Sequence, residues 1–163
     1  MNKKILLAVD GSENSIRAVD YTAQVVGCAE GFTITLLHIE HLPDRDLFKN
    51  DEEWRNKCEE YVAELKSFLE DAKDILEARN IPSDNITTTY ITSCKSPFAD
   101  RVSTKCSMGT SIAQEILQTL REKDYDTVVI GRRGVTKAEE FLFGSVSSKI
   151  VHHAKECAVW VVA

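Results

Sequence analysis

The sequence predicts an α/β fold in which five parallel strands form one sheet and helices cover both of its faces. Short apolar, β-branched runs alternate along the chain with segments whose apolar residues recur at helical spacing. Such alternation is typical of parallel sheets joined by right-handed crossovers. The length of 163 residues suits one domain with a sizeable core. We therefore expect residues 1–163 to form a single domain in the order βαβαβαβαβ.

The first half of the chain predicts two strands and two helices. Lys4 to Val9 is a short apolar run, and Ser12-x-x-Ser15 then opens a segment of helical period. The β-branched run from Thr33 to Ile39 predicts a second buried strand. Residues 41–53 are polar and acidic, so we expect a connecting loop insertion there. A long amphipathic helix follows as far as about Arg79, from apolar residues spaced three or four apart: Trp54, Cys58, Tyr61, Leu65, Phe68, Ala72 and Ile75.

The second half completes the pattern. Ile86 to Thr92 predicts strand three from its β-branched content, and a polar insertion follows at residues 93–108. The pair Ser111-x-x-Gln114 has the form of a capping box and predicts the start of a third helix. Strand four runs from Asp126 to Gly131. The last helix and strand are predicted at Ser145 to Ala154 and at Ala158 to Val162.

Composition and charge exclude several classes of function. A net charge of −6 and a pI near 5.3 provide no basic surface for nucleic acid or an anionic membrane. No apolar run approaches the roughly 18 residues of a membrane span. The five cysteines are scattered, which argues against a disulfide framework and suits a cytoplasmic location. We expect Cys94 and Cys106 to be unpaired thiols in a surface loop, with a redox pair or a basic clamp as the alternatives.

Three glycines after strand four form the most distinctive motif, Gly131-x2-Gly134-x9-Gly144-Ser145. Glycine lets backbone N–H groups approach a phosphate, and the following helix adds its unpaired N-terminal donors. Ser145 could cap that helix, and the hydroxyls of Ser147 and Ser148 could donate to phosphate oxygens. Spacing alone leaves phosphate binding and ordinary turn chemistry equally open. By itself, Asp10 after strand one is more often the cap of the next helix than a ligand contact.

Taken together, these segments resemble the universal stress protein family. The resemblance rests on the glycine motif and on five further stretches that cover essentially the whole chain, namely ILLAVDGS, LLHI, DTVVIGRRG, FGSVSSKIVHHA and AVWVV. It implies a Rossmann-like sheet in the order 3-2-1-4-5, related to the adenine nucleotide α-hydrolases, with ATP lying across the ends of strands one and four. The chain departs from the usual family pattern in the insertion at residues 93–108.

The resemblance also implies which residues contact the nucleotide. Asp10 and Ile39 would flank the adenine and ribose, while glycines and hydroxyls would surround the ribose and phosphates. The expected cofactor-binding residues are Asp10, Ile39, Gly131, Arg133, Gly134, Gly144, Ser145, Val146 and Ser147. Mg²⁺ or Mn²⁺ could accompany the phosphates, but no carboxylate cluster is evident for it, so we assign it no protein ligand. The resemblance further implies a homodimer joined along Ala158 to Val162, where an apolar edge strand is a template for pairing.

Three classes of function stay open at this point. A nucleotide-binding regulator is favoured by the glycine motif. An adenylating enzyme usually carries S-G-G-x-D-S after strand one, whereas this chain has Asp10-Gly11-Ser12-Glu13-Asn14-Ser15. An interaction module without nucleotide is the third. We expect no catalytic residues and at most slow ATP hydrolysis or autophosphorylation. Metal binding by the four histidines is not expected either, because His38 fits a buried strand and His152 and His153 point to different faces of a helix.

Overall fold

The computed structural model describes residues 3–99, 106–109, 111–132 and 144–163, and its strands alternate with helices as predicted. Apolar strand residues and amphipathic helices account for the elements, which have the following bounds: β1 Lys3–Ala8, α1 Glu13–Val26, β2 Phe32–Ile39, a 3₁₀ turn Arg45–Leu47, α2 Asp51–Glu77, a 3₁₀ turn Ser83–Asn85, β3 Ile86–Ile91, α3 Ile112–Lys123, β4 Thr127–Gly131, α4 Ser145–His153 and β5 Ala158–Val162.

The five strands form one parallel sheet in the order β3-β2-β1-β4-β5, which confirms the predicted topology. In the central register, Leu7 of β1 lies opposite Leu36 of β2 and Val129 of β4. Because neighbouring side chains on a strand point to opposite faces, Leu6 and Leu7 enter different cores. Leu7 packs into a cluster with residues of α1 and α2, and Leu6 into a cluster with residues of α3 and α4. The strand order reverses at β1 and β4, where parallel sheets of this kind hold ligands.

The predicted loop at residues 41–53 is only partly correct. The structure has a 3₁₀ turn at Arg45–Leu47, and α2 begins at Asp51. Asn50 caps α2, because its side-chain oxygen accepts a hydrogen bond of 2.8 Å from the N–H of Glu53. Three acidic residues in the first turn are favourable near the positive end of the helix dipole. These polar residues therefore start the helix instead of preceding it.

The expectation for the cysteines of the second insertion is wrong. Cys94 and Cys106 form a disulfide with a Cα separation of 5.0 Å. The chain on either side of it is held by a bridge between Ser93 and Ser107. This pairing brings the two thiols together across a sequence separation of 12, which no feature of the local sequence reveals. The remaining cysteines, Cys28, Cys58 and Cys157, are free thiols.

None of the described helices combines the length and the apolar character that crossing a bilayer demands.

Candidate functional site

A cleft of about 290 Å³ opens at the carboxyl ends of β1, β2 and β4. Its lining combines aliphatic side chains from the sheet and from α3 and α4 with polar groups from the start of α1 and the start of α4. The described residues that line it are Ala8, Val9, Asp10, Ser12, Asn14, Ser15, Leu37, His38, Ile39, His41, Tyr61, Ile112, Ile116, Ile130, Gly131, Gly144, Ser145, Val146 and Ser147.

Most of the residues singled out from the sequence surround this one cleft. The structure brings together Asp10, Ile39, Gly131, Gly144, Ser145, Val146 and Ser147. Two others, Arg133 and Gly134, lie outside the described residues. Ligand binding by the seven residues stays a prediction, but their convergence at the point where the strand order reverses is a structural fact.

Asp10 is held in place by the first turn of α1. Its Oδ1 accepts hydrogen bonds from the hydroxyl of Ser15 at 2.7 Å and from the N–H of Ser12 at 3.0 Å. The Asp10 N–H in turn donates to the Ser15 hydroxyl at 2.9 Å. The expectation that Asp10 itself caps α1 is wrong, because the capping residue is Ser12, whose side chain accepts from the Ser15 N–H. The Asp10 carboxylate is thus oriented at the cleft rim.

Gly131 lies where β4 ends against the start of α1. A Cβ atom at this position would stand 2.6 Å from the carbonyl oxygen of Asn14 and 3.1 Å from the Ser15 nitrogen. Real Cβ atoms do not approach backbone so closely, so a side chain here would push the strand and the helix apart. The packing of β4 against α1 therefore requires glycine at position 131, whether or not a ligand binds.

The N-terminus of α4 faces the cleft. Gly144 is the N-cap and has no side chain that could accept a capping hydrogen bond, so the expected capping role of Ser145 is wrong. The first backbone bond of the helix runs from the Ser148 N–H to the Gly144 carbonyl at 2.9 Å. In such a helix the N–H groups before Ser148 are not used by the helix ladder and are available to an anion. Ser147 is buried and also lines the cleft.

The structure confirms the prediction that His38 is a buried strand residue with a hydrogen-bond partner. The residue also lines the cleft. It is 2% exposed, and its Nδ1 donates to the Val9 carbonyl at 2.9 Å. Burial lowers the pKa of His38 from its usual 6.5, although the Val9 carbonyl and the charges of Asp10 and Glu40 oppose this. The neutral ring therefore has Nε2 as its acceptor, 3.5 Å from the Tyr61 hydroxyl.

A buried carboxylate lies one residue beyond the end of β2. Glu40 is 2% exposed and accepts hydrogen bonds from the Tyr90 hydroxyl at 2.6 Å and from the Ser93 N–H at 3.2 Å. Burial, and then the hydrogen bond to Glu40, raises the pKa of the Tyr90 phenol. The Tyr90 ring also packs against His38, with centroids 5.2 Å apart. This polar cluster connects the cleft to the segment that follows β3.

Sequence reasoning missed several lining residues. Tyr61 appeared only as part of the apolar stripe of α2, and Asn14 only in the comparison with the adenylating motif. The sequence did not single out His41, Ile112 or Ile116 as site residues. These residues reach the cleft through the packing of α2 and α3 on the sheet, and periodicity shows only that a face is buried, not which of its residues borders a cavity.

The part of the chain that the structure describes contains no group of three or more His, Cys, Asp or Glu side chains placed to hold a metal ion.

Known proteins resemble this chain over its whole length. A sequence model of the universal stress protein family matches residues 1–163. The universal stress protein YxiE of Bacillus subtilis (strain 168) is 25% identical over 176 residues, with 99% of each chain covered. A universal stress protein solved in complex with cAMP has a TM-score of 0.62 at 18% identity, covering 99% of this chain and 96% of that one. A universal stress protein family protein from Arabidopsis thaliana with AMP bound has a TM-score of 0.55 at 20% identity, covering 98% and 90%.

Proposed function

The chain belongs to the universal stress protein family, and we propose that it binds ATP in the cleft and acts as a nucleotide-dependent regulator of a stress response. The single observation that carries the proposal is the convergence of seven predicted residues on one cleft at the ends of β1 and β4. Two proteins of the same fold, solved with cAMP and with AMP, support an adenine nucleotide as the ligand.

The shape and chemistry of the cleft fit a nucleoside. Its aliphatic wall, formed by side chains such as Ile39, Ile112 and Ile116, suits the faces of a purine ring. Its volume of about 290 Å³ lies just below the ~300–1,000 Å³ typical of ligand pockets. We therefore place the adenine and ribose inside the cleft, with the phosphates toward its polar rim.

The polar rim supplies complementary groups for the rest of the nucleotide. The oriented Asp10 carboxylate can accept a hydrogen bond from a ribose hydroxyl. The N–H groups at the start of α4 and the Ser145 and Ser147 hydroxyls can donate to phosphate oxygens. Arg133 and Gly134 are proposed for the same phosphate contacts from the motif alone. Mg²⁺ or Mn²⁺, when present, would be held mainly by the phosphates.

The proposed role is regulation and not catalysis. We assign no catalytic residue, and any hydrolysis or autophosphorylation would be slow. We further propose a single domain over residues 1–163, a cytoplasmic location, and a homodimer joined along β5. The dimer is supported by the position of β5 at the sheet edge, where its outer side has no neighbouring strand within the described residues.

One observation favours a second candidate, an interaction module of this fold that binds no nucleotide. Gly131 is explained by its contact with the Asn14 backbone, so this glycine would be needed even if no phosphate approached it. The glycine motif is then weaker support for nucleotide binding than its spacing suggests. The two candidates differ in one measurable property, which is affinity for ATP.

Calorimetric titration with ATP and Mg²⁺ tests the proposal. The double variant Gly144→Val, Ser145→Ala should abolish binding and keep the fold, because it crowds the approach to the α4 N–H groups and removes a hydroxyl donor. Ser148→Ala is the matched control, because the structure does not place the Ser148 hydroxyl in the cleft lining, although the sequence suggested it as a phosphate donor. This variant should bind as the wild type does. Equal affinity in the double variant would refute this placement of the phosphates, and no heat with the wild type would favour the interaction module.

The same titration identifies the nucleotide. If the α4 N–H groups hold more than the first phosphate, ATP should bind more tightly than AMP. If the cleft recognises adenine, ATP should also bind more tightly than GTP. Equal affinity for ATP and AMP would restrict the recognition to the nucleoside and its first phosphate.

A further inference from the structure

The disulfide between Cys94 and Cys106 joins the end of β3 to the chain that precedes α3. Backbone hydrogen bonds flank it on both sides. The Cys94 N–H donates to the Ser107 carbonyl at 2.8 Å, and the Ser107 N–H donates to the Thr92 carbonyl at 2.8 Å. These hydrogen bonds lie outside the strands of the main sheet, so they can form only while the two segments are held close together.

One side of this arrangement leads to the end of β2. Ser93, next to Cys94, is buried and donates its N–H to the Glu40 carboxylate at 3.2 Å. Glu40 also accepts from Tyr90, whose ring packs against His38. His38 and Ile39 line the cleft. The position of Ser93 therefore affects a buried carboxylate whose neighbours in β2 form part of the cleft wall.

The other side leads to the first turns of α3. The Ser107 hydroxyl donates to the Glu115 carboxylate at 2.5 Å, and it accepts from the Gly109 N–H at 3.1 Å. Glu115 neighbours Ile116, which lines the cleft from α3 together with Ile112. The disulfide thus joins two segments that hydrogen-bond to elements lining the cleft, one to Glu40 at the end of β2 and the other to Glu115 of α3.

We propose that Cys94 and Cys106 form a reversible disulfide, opened by thiol–disulfide exchange with a dithiol reductant, through which the redox state of the cell sets the affinity of the cleft. Disulfides in the cytosol are usually transient and redox-sensing, so the expected cytoplasmic location is compatible with such a role. Cys106 is exposed and Cys94 half-buried, which makes the Cys106 sulfur the accessible point of attack.

The exchange needs no reactant other than the dithiol, which supplies both the electrons and the protons. A thiolate of the reductant attacks Sγ of Cys106, forms a mixed disulfide and expels Cys94 as a thiolate, which takes up a proton. The second thiol of the reductant then attacks the reductant sulfur of the mixed disulfide and releases Cys106 as a thiol. The protein gains two electrons and two protons, and the dithiol leaves as its own disulfide.

Reduction should loosen the cleft walls. Without the covalent link, the Ser107 backbone and hydroxyl bonds depend on weak contacts between two irregular segments. When they open, Glu115 loses its Ser107 partner and Glu40 loses a fixed Ser93 N–H. A nucleotide must then order these walls again, so its affinity falls.

The first test is independent of any ligand. Thiol titration of the unfolded, oxidised protein should find three reactive groups, Cys28, Cys58 and Cys157, and dithiothreitol should raise the count to five. Hydrogen exchange at the amides of Ser93, Cys94, Ser107 and Ile116 should accelerate on reduction, while that of Val19 in α1 should not change. Five thiols before reduction, or unchanged exchange at all four amides, would overturn the inference.

The second test measures coupling and rests on the proposed function. Reduction should weaken ATP binding by about fivefold or more. The double variant Cys94→Ser, Cys106→Ser should have the ATP affinity of the reduced protein, and dithiothreitol should not change it. The variant Cys28→Ser, which changes a free exposed thiol, should lose affinity on reduction as the wild type does. Equal affinity in both redox states would overturn the coupling. If neither state binds nucleotide, the proposed function fails, and faster exchange at Ile116 alone would still support a cleft wall controlled by the disulfide.

Discussion

At the scale of single residues, Gly131 combines two requirements at one position. Its lack of a side chain lets β4 end against the backbone of Asn14, where a Cβ would be 2.6 Å from the carbonyl oxygen. Gly131 is also one of the residues that line the cleft between β1 and β4. The first role concerns stability, and the second would concern a ligand only if the proposed function holds.

We predict that Gly131→Ala lowers the free energy of unfolding by about 1–3 kcal/mol, the usual cost of overpacking. The clash is with backbone, which cannot rotate away as a side chain can. Urea unfolding measures the change. Gly109→Asn is the control, because no described atom lies within 4 Å of a Cβ there and asparagine tolerates the left-handed backbone. A loss as large in the control as in Gly131→Ala would contradict the packing argument.

The lowered pKa of the buried His38 side chain predicts that the stability of the fold depends on pH. Its pKa in the folded protein is lowered, mainly by burial, below the usual 6.5. Below about pH 6.5 the unfolded chain therefore binds more protons than the folded one, and the free energy of unfolding falls as the pH drops. The decline ends once the pH is below the pKa of the folded state.

His38→Gln should flatten this pH dependence, because glutamine can still donate to the Val9 carbonyl but does not titrate. Unfolding curves collected between about pH 7.5 and about pH 5.5 give the slope. If His38→Gln keeps the wild-type slope, the protonation of His38 does not control it.

At the scale of elements, the start of α2 depends on Asn50. Replacing it by alanine removes the acceptor of the Glu53 N–H and should cost about 1 kcal/mol. Asn50→Asp should be nearly neutral, since aspartate caps a helix equally well. Thermal unfolding of both variants beside the wild type provides the measurement. Similar losses in the two variants would show that the amide group, and not the acceptor oxygen, stabilises this end.

The elements were predictable where one physical cause dominated. The apolar period of α2 and the β-branched runs of the strands report burial directly, and the structure has all of them within a few residues. The first turn of α2 was not predicted, because Asn50 and three acidic residues are as common in loops as at helix starts. The disulfide was not predictable either, since pairing depends on a Cα separation that only the folded chain defines.

The candidate site was predictable to the extent that it follows from the topology. Residues after β1 and β4 must meet at one edge of a parallel sheet, and Asp10, Gly131 and Gly144 do so. Tyr61 and Ile112 reach the cleft because of how α2 and α3 pack, and no motif marks them. The N-caps of α1 and α4 are Ser12 and Gly144. The sequence suggested Asp10 and Ser145 instead, because these nearby residues also have side chains that commonly cap helices.

At the scale of the whole molecule, the hydrogen-bonding direction of β5 defines how two copies can meet. The Ala158 N–H donates to the Asp126 carbonyl and the Val162 carbonyl accepts from the Arg132 N–H, so even-numbered residues bond to β4. Along a parallel strand the alternate residues bond to opposite sides. The N–H groups of Val159 and Val161 therefore point to the open edge, where a second copy could pair.

We predict that Val161→Pro converts the proposed dimer to monomer, because proline removes an outward N–H and leaves the ladder to β4 intact. Val161→Lys should act in the same direction through charge repulsion at the edge. Sedimentation velocity compares them with Val151→Lys, a matched change at an exposed position of α4. A dimer that survives both Val161 variants would rule out β5 as its interface, and a monomeric wild type would rule out the dimer itself.

The hydrogen bonds around Asp10 have a practical consequence for anyone who wishes to alter ligand preference. That carboxylate also secures the first turn of the helix beside it, so substitutions there should lower stability as well as alter the cleft. The half-buried Ile112 lines the cleft from α3 and also packs against the second core cluster. Apolar replacements at Ile112 can therefore reshape the cavity while they keep that packing.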